Sequence, residues 1–405
     1  MKKLLLFGAG KIGRSFIGQL FSRGGYEVIF VDINQELIRK LNQDNSYNVI
    51  IKSDAGDTTL NIKNVRGLHF SQKKEILAEV CSTNLMATAV GSANLKTVIK
   101  IIGEGLLNKI GKGIDTPVDI IIAENLRNAA EFFHDELITY LPENYVRDRI
   151  GLVETSIGKM VPIMTKEELD EDILQVFAEP YNTLILDHHA FKNPLPQVEG
   201  LSPKKNMKAW VDRKSFIHNL GHAAAAYYGF LKHPDYKYLY EVLSDKEVFY
   251  FAESAMKESA NILISIYPDE FNFKILNEHI RDLLKRFQNR SLGDTVYRVG
   301  RDLCRKLGPD DRLTGAIILA LKTGNRFDRI LYSLVCGFYF RAKDNDGKYY
   351  TPDRKFIRLF NNVNTEKMLE KVCKFNKYEH YKIFEKALKL NEEIINKFNI
   401  NKALP

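Results

Sequence analysis

The sequence predicts an α/β fold: a doubly wound parallel sheet in an N-terminal domain, followed by a mainly α-helical C-terminal domain. Three observations carry that expectation. The first 32 residues run from a short apolar stretch through a glycine-rich turn and a helical periodicity to a second apolar stretch ending in an acid. Further apolar runs of strand length, several followed by helical spacing, recur to about residue 178. From about Asn206 onward, long helical periodicities take over and β-branched runs become scarce. Alternating strand and helix signals point to a parallel sheet with helices on its faces.

Residues 4–7 (Leu-Leu-Leu-Phe) predict the first strand. Gly8-Ala9-Gly10-Lys11-Ile12-Gly13 follows as a G-x-G-x-x-G turn, and Phe16, Ile17, Leu20 and Phe21 then recur at helical spacing. Residues 28–31 predict a second strand, which ends on Asp32. This order gives the Rossmann-type dinucleotide fingerprint its meaning. Gly8 lets the chain turn sharply, Gly10 lets backbone approach a pyrophosphate, and Gly13 lets the helix pack on the sheet. Phosphates then sit on the free N–H groups of the helix start, where the dipole also favours negative charge. A carboxylate at Asp32 accepts both ribose hydroxyls and repels a 2′-phosphate, so NAD is the expected cofactor. Gly8, Ala9, Gly10, Lys11, Ile12, Gly13 and Asp32 are its expected binding residues.

Residues 35–41 read as a helix, and 47–51 and 60–62 as short strands. Residues 85–91 form a small-residue strand ending in glycine. Its end, Val90 and Gly91, fits a segment passing beside the cofactor, and equally a tightly packed inner strand. Residues 94–107 look helical, and 118–123 predict a buried strand that ends on Glu124-Asn125 before a helix-forming run at 126–133. Strand ends of open α/β sheets face the ligand crevice, which makes Asn125 a ligand candidate. The same position suits a helix N-cap. Residues 152–156 and 173–178 read as further strands, and a turn-rich segment then carries Pro180, Pro194, Pro196 and Pro203. The domain boundary is expected there, near residue 195, giving domains 1–195 and 196–405. In the second domain, residues 253–264, 282–287, 314–321 and 365–391 predict helices.

A chain of 405 residues suits about two domains. Its 45% hydrophobic and 27% charged content is that of an ordinary globular protein. The net charge is +8, but Lys and Arg are spread without a long block, which argues against a nucleic-acid partner. An anionic small substrate and cofactor are compatible with that balance. Cys81, Cys304, Cys336 and Cys373 form no C-x-x-C pair. That excludes a local zinc knuckle or redox dithiol and suits a reducing cytoplasm. No apolar run approaches the roughly 20 residues that span a bilayer, so no membrane partner is expected. Met1-Lys2-Lys3 and the apolar residues after it resemble the start of a signal peptide, but Gly8 and Lys11 interrupt the run. The expected location is the cytoplasm.

The chemistry of the second domain concentrates between Asp212 and His222. On an ideal helix turning about 100° per residue, with Lys214 at zero, His218 falls near ~40°, His222 near ~80° and Asn219 near ~140°. Phe216, Ile217 and Leu220 lie on the other side. The bland reading is an amphipathic helix with a solvated polar face. The functional reading is a lysine of lowered pKa that removes a hydroxyl proton, an amide that holds the developing oxyanion, and a histidine that orients the substrate. His218 and His222 at i, i+4 and the adjacent His188-His189 also invite a metal. H-E-x-x-H is absent and no third ligand is evident, so no metal is expected. His188 and His189 are expected in a surface turn or a domain contact.

Lys214, Asn219 and His222 match the K-x-x-x-x-N-x-x-H signature of the polyol-specific long-chain dehydrogenases, the mannitol dehydrogenase family. Residues 7–14, Ala123-Glu124-Asn125 and residues 213–223 also resemble its mannitol-1-phosphate 5-dehydrogenase branch, and the similarity runs to about Phe340. The resemblance implies metal-independent, NAD-dependent oxidation of D-mannitol 1-phosphate to D-fructose 6-phosphate, and the reverse. It implies Lys214 as general base and, in reverse, acid. Asn219 and Asn125 would bind the reacting oxygen, and His222 would hydrogen-bond near the reacting carbon. It further implies a sugar or polyol phosphate as the small-molecule partner, and a monomer. Ser215, His218 and Leu220 depart from the family's more usual Leu, Leu and Thr, and the tail beyond Phe340 matches no motif. A non-phosphorylated polyol or a hexuronate is the alternative substrate.

A phosphate needs cations. Arg298, Arg301 and Arg305 stand at i, i+3 and i+7, which places them on one helical face, with Lys306 adjacent and Arg312 beyond Gly308-Pro309. This run also resembles the phosphate-using branch. The arginine fork suits phosphate, and the same spacing describes a solvated basic face equally well.

Overall fold

The computed structural model describes residues 2–162, 164, 166–360 and 364–400. The chain divides into two compact units, Met1–Val211 and Asp212–Pro405. The first is built on strands β1 (Lys3–Phe7), β2 (Glu27–Asp32), β3 (Ser46–Ile51), β4 (Thr58–Lys63), β5 (Val65–His69), β6 (Leu85–Thr88), β7 (Val118–Ile122), β8 (Ile150–Ser156), β9 (Val176–Ala178), β10 (Leu184–Asp187) and β11 (Leu201–Lys204). Eight of them form one sheet in the order β11-β10-β8-β7-β6-β1-β2-β5. From β5 to β8 all neighbours are parallel. Numbered among themselves, these six strands run 3-2-1-4-5-6, the dinucleotide-binding order, which reverses between β1 and β6. β10 is antiparallel to β8 and carries β11 at the edge.

Both faces of the sheet are covered. Leu4, Leu6, Val28 and Phe30 pack with Phe16, Ile17 and Leu20 on one face. Leu5, Phe7, Ile29 and Val31 pack with Ile99, Ile102 and Leu106 on the other. Side chains alternate across a strand, so a strand buried on both faces must be apolar throughout, and β1 and β2 read that way in the sequence.

A second sheet has the order β4-β3-β9. It takes up residues 173–178, where the expected strand is only Val176–Ala178 and pairs with β3. The boundary expected near residue 195 is displaced. Leu201–Lys204 pairs with β10, with Pro203 on an edge strand that tolerates a residue lacking an N–H, and the units divide at Val211–Asp212.

The second unit is helical. Its Lys246–Ile266 helix is capped by Asp245, which accepts from Glu247 N and Val248 N at 2.8 and 3.3 Å. Beside it packs Leu220–Lys232, whose run Ala223–Ala226 is fully buried. The single helix expected over 365–391 is two, Thr365–Lys371 and Tyr381–Lys397. Lys374 adopts a left-handed φ of 62°, Phe375 turns into the core, and the Asn376 side chain caps the next turn. Among the described residues, no helix is long and apolar enough to cross a membrane. Residues 401–405 lie outside those described.

Candidate active site

The glycine turn sits where the strand order reverses. Gly8 leaves β1 at φ 100°, and a Cβ there would stand 2.4 Å from the Ala89 carbonyl oxygen. Its N–H donates to Val31 O, and Ala89 N–H donates to Phe7 O, both at 2.8 Å, so the turn is joined to the ends of β2 and β6. A Cβ on Gly13 would fall 2.0 Å from Gly8 O, so only glycine allows the helix to start this close. Gly10 differs: a Cβ there would meet nothing within 4 Å, which leaves open space over the turn. Arg14 N–H donates to Gly10 O at 3.0 Å as the helix begins, and a helix start leaves its first N–H groups facing outward. Asp32 accepts from Ala9 N–H at 2.7 Å and from Asn34 N–H at 2.9 Å. Open space, outward N–H groups and a carboxylate fit a dinucleotide pyrophosphate and its ribose.

Glu124 completes this end of the sheet. It is buried, and its two oxygens accept from Val90 N–H at 2.8 Å and Gly91 N–H at 2.9 Å. Burial raises its pKa, and these hydrogen bonds oppose the rise. The carboxylate following β7 thereby holds the loop following β6, where Gly91 turns at φ 81°. In the sequence this residue is marked by its place directly after a buried strand and by the Ala123-Glu124-Asn125 stretch, neither of which shows this role. Asn125 comes next and is exposed. It does not cap a helix, because the helix expected at 126 starts at Ala129, and Glu154 accepts the Ala130 N–H at 3.0 Å.

In the second unit, Lys214–Asn219 is a π-helical turn between Met207–Arg213 and Leu220–Lys232. A π turn closes i to i+5 hydrogen bonds, so each residue advances less than on an ideal α-helix. Lys214 and Asn219, five apart, are drawn towards the same side rather than splayed. The Lys214 chain keeps partial solvent contact, but its ammonium is deeply enclosed. That desolvation, with the charge of Arg312, lowers its pKa to about 8. His222 stacks on Phe287 with centroids 3.8 Å apart, and His218 lies 5.1 Å from the His222 ring. Desolvation holds both imidazoles, and that of His279, well below the usual histidine range, so they are neutral. The His222 Nε2 is buried and has no hydrogen-bond partner among the described residues. Buried polar atoms are normally satisfied, so an orphan facing a candidate site calls for a ligand group.

The basic cluster is not one helical face. The Val296–Gly300 helix ends, Arg301 is extended, and Asp302 turns at φ 76° before the Leu303–Lys306 helix begins. Asp353 imposes the break by accepting from Asp302 N–H at 2.8 Å and Leu303 N–H at 2.7 Å. Arg298 pairs with Asp294, and Arg305 with Asp302 and Asp311. Lys306 Nζ donates to Val299 O at 2.7 Å, and Arg301 lies over the rings of Tyr297 and Tyr350 at 5.3 and 4.7 Å. Arg298, Arg312, Lys306 and Arg286 nonetheless bring positive charge to His222. Arg312 belongs to the site more closely than its sequence suggests. It pairs with Asp311 at 2.7 Å and donates to the Asn219 carbonyl at 3.3 Å.

His188 and His189 are exposed after β10 and pack edge to face, 5.1 Å apart. Among the described residues, no group of three or more His, Cys, Asp or Glu could hold a metal ion.

The strand order and the glycine turn define a Rossmann-type dinucleotide-binding fold. Residues 2–200 match the family model of the mannitol dehydrogenase Rossmann domain, and residues 206–402 that of the mannitol dehydrogenase C-terminal domain. The chain belongs to the mannitol dehydrogenase family. It is 32% identical over 346 residues to a mannitol-1-phosphate 5-dehydrogenase of Buchnera aphidicola subsp. Acyrthosiphon pisum (strain APS), covering 85% of this chain and 88% of that one. It is 34% identical over 354 residues to the protein of the same name from Thermoanaerobacter pseudethanolicus, covering 85% and 87%. Its fold is similar to Pseudomonas fluorescens mannitol 2-dehydrogenase, solved as a ternary complex with NAD and D-mannitol, at a TM-score of 0.73, 15% identity, and 98% and 92% coverage.

Proposed function

We propose that this chain is an NAD-dependent hexitol-phosphate dehydrogenase that oxidises D-mannitol 1-phosphate to D-fructose 6-phosphate and catalyses the reverse reduction without a metal. The observation that carries the chemistry is the π turn: Lys214, with a pKa lowered to about 8, shares it with Asn219. A neutral amine is then available near neutral pH to take the hydroxyl proton, and its ammonium returns one in the reduction. Bound NAD supplies the hydride acceptor. Asn219 and Asn125 donate amide N–H groups to the reacting oxygen as it gains negative charge. His222, neutral and with Nε2 unused, hydrogen-bonds a neighbouring substrate hydroxyl. Gly8 to Gly13, Val90 and Gly91 form the cofactor cradle. The carboxylate of Asp32 accepts ribose hydroxyls and disfavours a 2′-phosphate, which supports NAD over NADP.

The names of the sequence relatives support a phosphorylated substrate, and the positive charge brought to His222 supports an anion beside it. Arg298, Arg301, Arg305 and Lys306 are the proposed phosphate cations. A second reading, a free polyol or hexuronate, is favoured by the carboxylates that already engage Arg298 and Arg305.

Loss of NADH absorbance with fructose 6-phosphate, fructose, tagaturonate and fructuronate, in the presence of EDTA, separates the two. Rapid turnover on fructose 6-phosphate is expected, unaffected by the chelator. Arg301→Ala combined with Arg305→Ala is expected to raise its KM by about 100-fold, since two charge-assisted contacts are lost. Turnover confined to an unphosphorylated keto sugar would overturn the phosphate assignment and leave the fold and the lysine chemistry standing.

A further inference from the structure

Arg14 follows the glycine turn directly and is buried, with 7% of its surface exposed. A buried arginine normally has a carboxylate partner. Here carbonyl oxygens hold it. Nε donates to Ala9 O at 2.7 Å, inside the turn, and Nη1 donates to Ile173 O and Leu174 O at 2.8 Å each. Ile173 and Leu174 lead into β9 of the three-stranded sheet. The central strand of that sheet holds the backbone of the same residue: the hydroxyl of Tyr47, on β3, donates to Arg14 O at 2.8 Å. Arg14 stands in a second π turn, Gly13–Gly18, where Gln19 Nε2 likewise donates to Ser15 O at 2.8 Å. Side chains that engage helix carbonyls in this way mark and maintain such a widened turn.

The consequence falls on Ala9. Its N–H is held by Asp32 and its C=O by Arg14, so both polar groups of that residue are fixed before any ligand arrives. We infer that Arg14 is a positioning residue for the cofactor turn, and that the small sheet braces the turn through it, with β3 and the lead-in to β9 as the two supports. The inference rests on the placement of the dinucleotide over the glycine turn. A turn held ready costs less to order on binding, so the brace acts on cofactor affinity rather than on the chemical step.

NADH titration by fluorescence tests this in the full chain, with thermal unfolding measured alongside. Arg14→Lys keeps the charge but cannot reach Ala9 and the 173–174 carbonyls together. It is expected to raise the Kd for NADH by about tenfold, the loss of one charge-assisted hydrogen bond. KM for NADH should rise in parallel, with kcat at saturating NADH unchanged. Tyr47→Phe is expected to raise Kd by about threefold, and the double variant by less than the product, since both act through Arg14. A folded Arg14→Lys protein that melts earlier but binds NADH with wild-type affinity would show a merely structural role and overturn the inference. Where Arg14→Lys does not fold, Tyr47→Phe decides: a raised Kd supports the brace and an unchanged one rejects it. Gly10→Val, which should lose NADH, is the control for the cofactor's placement. Wild-type affinity in that variant would overturn the placement, and this inference with it.

Discussion

Replacing Lys214 with methionine should lower kcat by about 10²- to 10⁴-fold, the usual contribution of a positioned acid–base group. Methionine has a similar length and no proton to exchange, so the helix and the cofactor domain are left intact. NADH affinity should stay within about twofold of wild type, because the glycine turn that carries it lies in the other unit. The pH dependence has a definite sign. Desolvation and the Arg312 charge favour the neutral amine, which brings the Lys214 pKa down to about 8. Alcohol oxidation needs that neutral amine, so its rate should rise with pH through this value. Carbonyl reduction needs the ammonium, so its rate should fall through the same value. Both limbs should flatten in Lys214→Met. A folded variant that loses NADH binding, or a wild-type enzyme whose two directions share one pH limb, would show that another group moves the proton.

Gly10→Val should abolish useful NADH binding, raising Kd by about 100-fold or more, while the protein melts close to wild type. The contrast between neighbouring glycines makes the test clean. A Cβ on Gly8 or Gly13 would collide with backbone oxygens, so substitution there damages the fold itself. A Cβ on Gly10 meets nothing within 4 Å and projects into the open space that the pyrophosphate is proposed to occupy. Stability and affinity should therefore separate at this one position. Isothermal titration with NADH, beside a thermal melt, checks both halves. Undiminished affinity would move the cofactor away from the turn.

The sequence by itself determined the fold class, since the signals responsible are local. A strand buried on both faces must be apolar at every position, which made β1 and β2 legible as uninterrupted runs. Gly13 is dictated by the Gly8 carbonyl five residues back, and Gly8 by its own left-handed φ, although the close approach of Ala89 to Gly8 is tertiary. Lys214, Asn219 and His222 could likewise be read as a group, because one short helical stretch carries all three. Tertiary structure decided whatever depended on distant partners. β5, β10 and β11 are edge or near-edge strands with weak patterns, and only pairing turns the segment around Pro203 into part of the sheet rather than a domain boundary. Of the two readings open for Asn125, the cap is closed by the fold: the helix starts only at Ala129, where Glu154, on another strand, takes the N–H of Ala130. The arginine spacing implied one helical face, but Asp353, some fifty residues away in sequence, holds the N–H groups of Asp302 and Leu303 and breaks the helix. Asp294 and Asp302, at i,i+4 and i,i+3 spacing from Arg298 and Arg305, and Asp311 then engage these arginines. Spacing along the chain offers such partners, and only the fold decides which of them come within hydrogen-bond range and where the helix breaks.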